Sequence, residues 1–201
     1  MVDMTDPVKQ TATRVVYKNK WMRVREDEVV RDDGSHGIFG VVEKRDFALI
    51  IPAEDDAVWL VEQFRYPVAG RFWEFPQGSW ENQAAEPAEL ARAELAEEPG
   101  LRAATLQHLG HLYEAYGYSD QGFDVFLATH LTPGAPTHSV EEQDMASRRV
   151  TTSEFEEMVA RGEIKDAPSV AAYGLWLLAR PRSTTWSWRR MPLRRRSMPS
   201  G

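Results

Sequence analysis

Cysteine is absent from all 201 residues. That excludes disulfide frameworks, thiol nucleophiles and cysteine-ligated zinc or iron–sulfur centres. Long apolar runs are missing too. The most apolar run, Ala167 to Ala179, is too short to cross a bilayer, which takes about 20 residues. The opening MVDMTDPVKQ carries acids and no apolar core of a secretory signal, so a cytoplasmic protein is expected. No G-x-S-x-G elbow, P-loop or G-x-G-x-x-G occurs, which sets aside serine hydrolases, ATPases and Rossmann oxidoreductases. Acid is missing after Ala179: from Arg180 onward there are seven arginines and no carboxylate. The net charge of −7 therefore hides a body of −14 over residues 1–179, which repels polyanions and argues against broad nucleic-acid binding. The basic tail reads either as a solvated appendage or as an electrostatic contact arm.

What is present is the balance of an ordinary folded protein, 42% hydrophobic and 27% charged. Alternation predicts strands in TRVVYK and WMRVREDEVV within residues 14–30, with a turn at Arg31 to Gly37. FALII (Phe47 to Ile51) and AVWLVEQF (Ala57 to Phe64) read as strands buried on both faces, parted by the turn AEDD. AGRFWEF (69–75) reads as a further strand. FDVFLATHL (123–131) alternates, with Phe123, Val125, Leu127 and Leu131 on one side. Three helices are expected. One starts at Pro87 and stops at Pro99-Gly100. The second follows a capping box with Ser153 as N-cap and Glu156 reaching back, and closes at Gly162. The third begins near Pro168 with Val170, Tyr173 and Leu177 on its face. The order predicts an α+β, layered α/β/α fold and not a doubly wound parallel sheet, because the turns are too short for crossovers.

The informative stretch is PQGSWENQAAEPAELARAELAEEPG, residues 76–100. On its helix Glu94 and Glu98 stand at i and i+4, and Glu97 borders the same face. Three like charges on one turn are costly unless a hard divalent cation shares them. A solvated acidic face is the alternative reading of the same acids. The Phe75-Pro76-Gln77-Gly78 strand exit offers backbone groups nearby. The five histidines give no metal pattern: His108 and His111, three apart in a strand-like stretch, should point to opposite faces.

This run resembles the Nudix box: Gly, five residues, Glu, seven residues, Arg-Glu-apolar-any-Glu-Glu-any-Gly-apolar. Gly78, Glu94-Leu95, Glu97-Glu98 and Gly100-Leu101 stand at matching places. EQFRYPV, FWEFPQG, YGYSDQGFDVFLA and DAPSVAAYGL resemble the ADP-ribose and nucleoside-diphosphate-sugar pyrophosphatase branch, over about Val42 to Ala179. The sequence departs from the pattern in two ways. The box arginine falls on Ala93, with Arg92 rotated about 100° away. The spacing from Gly78 to Gly100 is also one residue longer, so the first box glutamate falls on Ala84 or Ala85, beside Glu81 and Glu86.

The resemblance implies a mixed sheet flanked by helices and Mg²⁺-dependent (or Mn²⁺-dependent) hydrolysis of a nucleoside-diphosphate sugar. The metal would sit on Glu94 and Glu98, with Glu97 and the Gln77 carbonyl as further ligands or orienters. Glu141 or Glu142 would supply the base, against a plain acidic linker as the other reading of that loop. Arg65 reads as a phosphate clamp or a surface salt bridge, and Trp73-Glu74 as a wall beside base or ribose or as buried sheet residues. Tyr116 or Tyr118 would stack on the nucleobase. Three segments are expected: an N-terminal strand segment, 1–41, that forms a homodimer, a hydrolase domain, 42–180, and the basic tail, 181–201. The runner-up is a nucleotide-binding module on the same scaffold that no longer turns over. An interaction protein working through the tail comes third.

Overall fold

Two sheets carry the architecture of the computed structural model, which describes residues 6–79, 86–137 and 144–180. The first is an antiparallel sheet of β1 (Val8–Lys18), β2 (Arg23–Arg31) and β3 (His36–Glu43), in that order. Ion pairs Arg14–Glu26, Arg23–Glu43 and Arg25–Glu43 lace it, while Val15, Val16, Tyr17, Ile38 and Phe39 are exposed. It meets the rest of the chain at the Val42–Ser119 bridge, where the Val42 N–H donates to the Tyr118 carbonyl at 2.8 Å.

The second sheet holds seven strands. β4 (Phe47–Glu54) and β5 (Ala57–Arg65) are the apolar pair expected from sequence, joined at a turn where Asp55 takes φ 57°. Around them stand β6 (Gly70–Glu74), β7 (Gln77–Gly78), β8 (Leu101–Tyr113), β9 (Gly122–Pro133) and β10 (Ala146–Thr151). The path runs β10-β5-β4-β9-β8, antiparallel except for the parallel β4–β9 pair. One departure from a regular sheet positions the site. β4 and β5 pair only at Ala53–Val58 and Glu54–Ala57, beside their turn, and then part. The Gly70–Gly78 segment enters the gap, β6 pairing with β5 and β7 with β4.

Alternation along β4 sends Leu49 and Ile51 to one face and Ala48 and Ile50 to the other. On the first face pack α2 (Thr152–Arg161) and α3 (Ala167–Ala179), through Phe155, Met158, Ala172, Tyr173 and Trp176. Aromatic contacts anchor this layer, with Phe75 stacked on Phe155 at 5.1 Å and Phe155 tilted against Tyr173 at 4.5 Å. On the second face lies α1 (Pro87–Glu97), burying Leu90, Ala91 and Leu95 against Ile50, Leu101 and Phe126. At about 1.5–3 kcal/mol for each large apolar side chain buried, the two faces sandwich the sheet firmly. The α/β/α layering is as expected.

Four local expectations need correction. The N-cap of α2 is Thr151, whose side chain accepts from the Glu154 N–H, not Ser153. β10 stays paired through Thr151–Ala57, so the chain can turn into helix only there. Glu156 does not reach back; it accepts the Tyr173 hydroxyl at 2.8 Å. On α3 the buried face is Ser169, Ala172, Tyr173 and Trp176, leaving Val170 and Leu177 exposed. On β9, Leu131 packs on the α1 face, away from Phe123 and Val125, because His130 at φ 55° breaks the alternation.

Candidate active site

α1 begins with Pro87 at its first turn and ends where Glu98 caps it, the Glu98 N–H donating to the Glu94 carbonyl. Of the three acids, Glu94 and Glu98 are buried, at 8% and 2% exposure, and Glu97 is exposed. This overturns a solvated acidic face for the pair one turn apart. Glu97 does not join them inside. The burial comes from the strand exit opposite. Gly78 lies so close that a Cβ there would meet the Glu94 carboxyl at 2.5–2.6 Å. Only a residue without a side chain lets the carboxylate approach β7 in this way. Beside it, the Gln77 N–H donates to Glu98 Oε2 at 3.0 Å.

A second charged group adjoins. Glu74, at the end of β6, is 1% exposed and receives Gln63 Nε2 at 2.9 Å and Arg65 Nε at 3.1 Å, with Arg65 Nη2 also bonded to it. Burial raises the Glu74 carboxyl above its usual range, against the pull of Arg65 and Gln77. Burial also works against the Arg65 charge, but Glu74, with Asp166 and Glu98 in reach, outweighs it and holds the guanidinium above its ordinary value. Arg65 keeps 40% of its side chain exposed and is a fixed cation at the site's edge. Trp73, half-buried, packs against the α2–α3 core.

Asp166 and Ser169 complete the neighbourhood, and sequence reasoning missed both. Asp166 is the N-cap of α3 and accepts Gln77 Nε2 at 3.2 Å, and the Ser169 hydroxyl accepts the Phe75 N–H at 2.8 Å. The Asp-x-Pro-Ser run did signal a helix start. What it could not signal is a partner 89–94 positions away.

The structure thus brings together Arg65, Glu74, Gln77, Glu94 and Glu98. Tyr116 and Tyr118 are exposed, at 85% and 62%, on the segment between β8 and β9. Glu141 and Glu142, like Glu81 and the basic tail, lie outside the described residues. The backbone leading toward those two acids is fastened to the end of α1, Thr137 N–H to Glu97 carbonyl at 2.9 Å. His108 and His111 are not on opposite faces. A bulge at Gly110 turns both onto Asp124, at 2.7 and 3.4 Å. No group of three or more His, Asp or Glu among the described residues converges as a ready metal cage.

Comparison with known proteins agrees with this geometry. The model described as NUDIX domain matches residues 43–173, and the one described as nucleoside diphosphate sugar hydrolase N-terminal domain matches residues 8–42. An ADP-ribose pyrophosphatase of Mycobacterium tuberculosis is 35% identical over 150 residues, 74% of this chain and 72% of the relative. An ADP-ribose pyrophosphatase of Bacillus subtilis is 25% identical over 166 residues, 82% and 89% of the two chains. A crystal structure described as ADP compounds hydrolase superposes with a TM-score of 0.76 at 18% identity, covering 86% of this chain and 94% of that one, and so shares the fold. With a family model spanning most of its length around two buried glutamates, the chain belongs to the Nudix family.

Proposed function

We propose that the protein hydrolyses the pyrophosphate of ADP-ribose or a related nucleoside-diphosphate sugar, releasing a nucleoside monophosphate and a sugar phosphate. The observation that carries this reading is the buried pair Glu94 and Glu98, pressed against the Gln77-Gly78 backbone. The two relatives named as ADP-ribose pyrophosphatases support the substrate class. The donor set fits Mg²⁺, with Mn²⁺ as a substitute: hard carboxylate oxygens, few enough to leave places for water and phosphate. A glycine where a side chain would fill the cradle supports the same fit.

When bound, such an ion neutralises charge growing on the pyrophosphate oxygens and lowers the pKa of a water. The protein's own groups do the rest. Glu94 and Glu98 would hold the ion, with the Gln77 carbonyl as a further oxygen, and the Gln77 N–H orients Glu98. Exposed Glu97 stands ready as an added ligand or proton acceptor. Arg65, held by Glu74, offers its free edge to phosphate oxygens. Water adds to phosphorus, the bridging P–O bond breaks, and the proton passes to a carboxylate. We assign that role to Glu141 or Glu142, and the Thr137–Glu97 fastening supports it. Trp73, Tyr116 and Tyr118 are assigned to the base and ribose. A second copy of the chain is assigned to the exposed apolar side chains of the β1–β3 sheet, giving a homodimer. Light scattering that gives a monomer mass would overturn that assignment.

The test is incubation with ADP-ribose and Mg²⁺, reading AMP and ribose 5-phosphate. Glu98→Gln keeps an acceptor for the Gln77 N–H but removes the charge, so turnover should fall by orders of magnitude at an unchanged melting temperature. No product across a panel of nucleoside-diphosphate sugars refutes the hydrolase. Thermal stabilisation by those ligands without product would establish the binding module that Ala93, in the place of the box arginine, favours.

A further inference from the structure

The carboxylate site on α1 is held from the opposite face of the sheet. We propose that Asp166 and Ser169, in the first turn of α3, are positioning residues for Glu98, acting through the Phe75–Gln77 backbone; the proposal rests on the hydrolase reading above.

α3 and α1 lie on opposite faces, and the gap between β4 and β5 is where a connection can pass from one to the other. The chain of bonds through it is continuous. Asp166 Oδ2 accepts the Ser169 N–H at 2.8 Å, the Ser169 hydroxyl at 2.7 Å and Gln77 Nε2 at 3.2 Å. The Ser169 hydroxyl, fully buried, in turn accepts the Phe75 N–H at 2.8 Å. Phe75 and Gln77 are thus gripped on both sides of Pro76, and Gln77 delivers its own N–H to Glu98 Oε2 at 3.0 Å.

A helix cap alone needs only the first of these bonds, a carboxylate receiving an N–H of its own first turn. The bonds to Gln77 and Phe75 leave the helix and serve the strand exit. Glu98 sits inside the protein, so the direction of its carboxylate is set by whichever donor faces it. One such donor is the Gln77 backbone N–H, whose place is fixed by α3. Groups behind a metal ligand that fix its orientation typically govern metal affinity and turnover by about 10–100-fold.

The experiment uses the full chain and two independent readouts. One is Mn²⁺ affinity without substrate, measured by electron paramagnetic resonance of the free ion. The other is kcat and KM for ADP-ribose. Ser169→Ala and Gln77→Ala each cut one of the two links from α3 to the strand exit, Ser169–Phe75 and Asp166–Gln77, and both keep the Gln77 N–H that faces Glu98. Each should weaken Mn²⁺ binding about tenfold or more and lower kcat, with KM little changed. Thr151→Ala, which removes the cap of α2, is the control: it should lower the melting temperature while leaving Mn²⁺ affinity and kcat as they were.

Wild-type Mn²⁺ affinity in both relay variants overturns the proposal, as does an equal loss in Thr151→Ala. Should Ser169→Ala fail to fold, Gln77→Ala decides alone. If the wild type binds Mn²⁺ but hydrolyses no nucleoside-diphosphate sugar, the hydrolase reading fails. The Mn²⁺ comparison then still decides the relay.

Discussion

Gly78→Ala should separate activity from stability. The new methyl would stand 2.5 Å from Glu94 Oε1 and 2.6 Å from its Cδ and Oε2. Ordinary contact needs about 3.5 Å, so the carboxylate must retreat by about 1 Å. It can do so, because it is the far end of a flexible side chain. A displacement of that size at a reacting centre costs about 10²-fold in rate, equivalent to roughly 2.7 kcal/mol of transition-state stabilisation. The backbone raises no objection, since Gly78 is not among the positive-φ glycines. Removing its freedom in the unfolded chain should even add about 0.4–1 kcal/mol. The expected result is kcat on ADP-ribose down about a hundredfold and a melting temperature level or slightly raised. A kcat within about threefold of wild type would mean that the closeness of Glu94 to β7 has no part in catalysis. A collapsed melting temperature would mean that Glu94 cannot step aside, and the reasoning would fail there instead.

Gly100→Ala should do the reverse. Gly100 sits at φ 68° and a Cβ would meet the Pro136 nitrogen at 2.7 Å, backbone that cannot yield. The left-handed conformation alone costs about 1–2 kcal/mol, so a melting temperature lower by roughly 2–8 °C is expected by calorimetry. Tyr173→Phe should flatten the alkaline stability profile. Burial, then the Glu156 carboxylate, push the Tyr173 hydroxyl up to about 12. The unfolded phenol titrates near 10, so this group's stabilisation is whole below about pH 10 and lost as pH rises through about 12. Denaturant melts across that window should lose this slope in the variant, at a cost of about 1 kcal/mol near neutrality. Mg²⁺ at about a hundred times its dissociation constant should add about 2.7 kcal/mol, read as a raised melting temperature that a chelator reverses. Glu98→Gln should lose most of that rise, and a full rise in the variant would place the ion elsewhere.

Much of the fold was legible because its signals are local. Leu49–Ile51 and Leu60–Val61 are apolar on both faces, and buried strands read that way. Pro87 and the Pro99-Gly100 stop bound α1 because they act within one turn. What escaped depends on partners. β3 and β10 were not read from alternation, having no buried face or only one buried residue, and β8, strand-like around His108 and His111, is an outer strand whose pattern a bulge at Gly110 interrupts. That bulge also put His108 and His111 on one carboxylate. On α3 hydrophobicity favoured Val170 and Leu177, yet the helix turns small Ser169 and Ala172 inward. The Ser169–Phe75 bond ties that turn of the helix to the sheet. For the site, spacing gave the acids of α1, and the EQFRY segment with the fork of a guanidinium gave Arg65. Which acids are buried, and what holds them, is tertiary information.

The substitution at Ala93 makes sense in that light. In the box pattern an arginine on the helix stands beside the acids; here Ala93 is half-buried and Arg92 faces outward, donating to the Ala103 carbonyl at 3.1 Å. Glu94 and Glu98 meanwhile occupy the C-terminal end of α1, whose last turn holds no basic residue. There the helix dipole opposes a negative charge by about 0.3–1 kcal/mol, and burial adds more. A hydrogen bond to a charged group contributes about 1.5–3 kcal/mol, enough for one backbone N–H to outweigh the dipole but not the burial of two carboxylates. The Gln77 N–H supplies that bond from a strand instead of from the helix. A divalent ion would add positive charge beside the pair, while β7 contributes orientation. Such a division of labour lets the helix arginine be dispensed with, provided that the strand exit is itself held rigid.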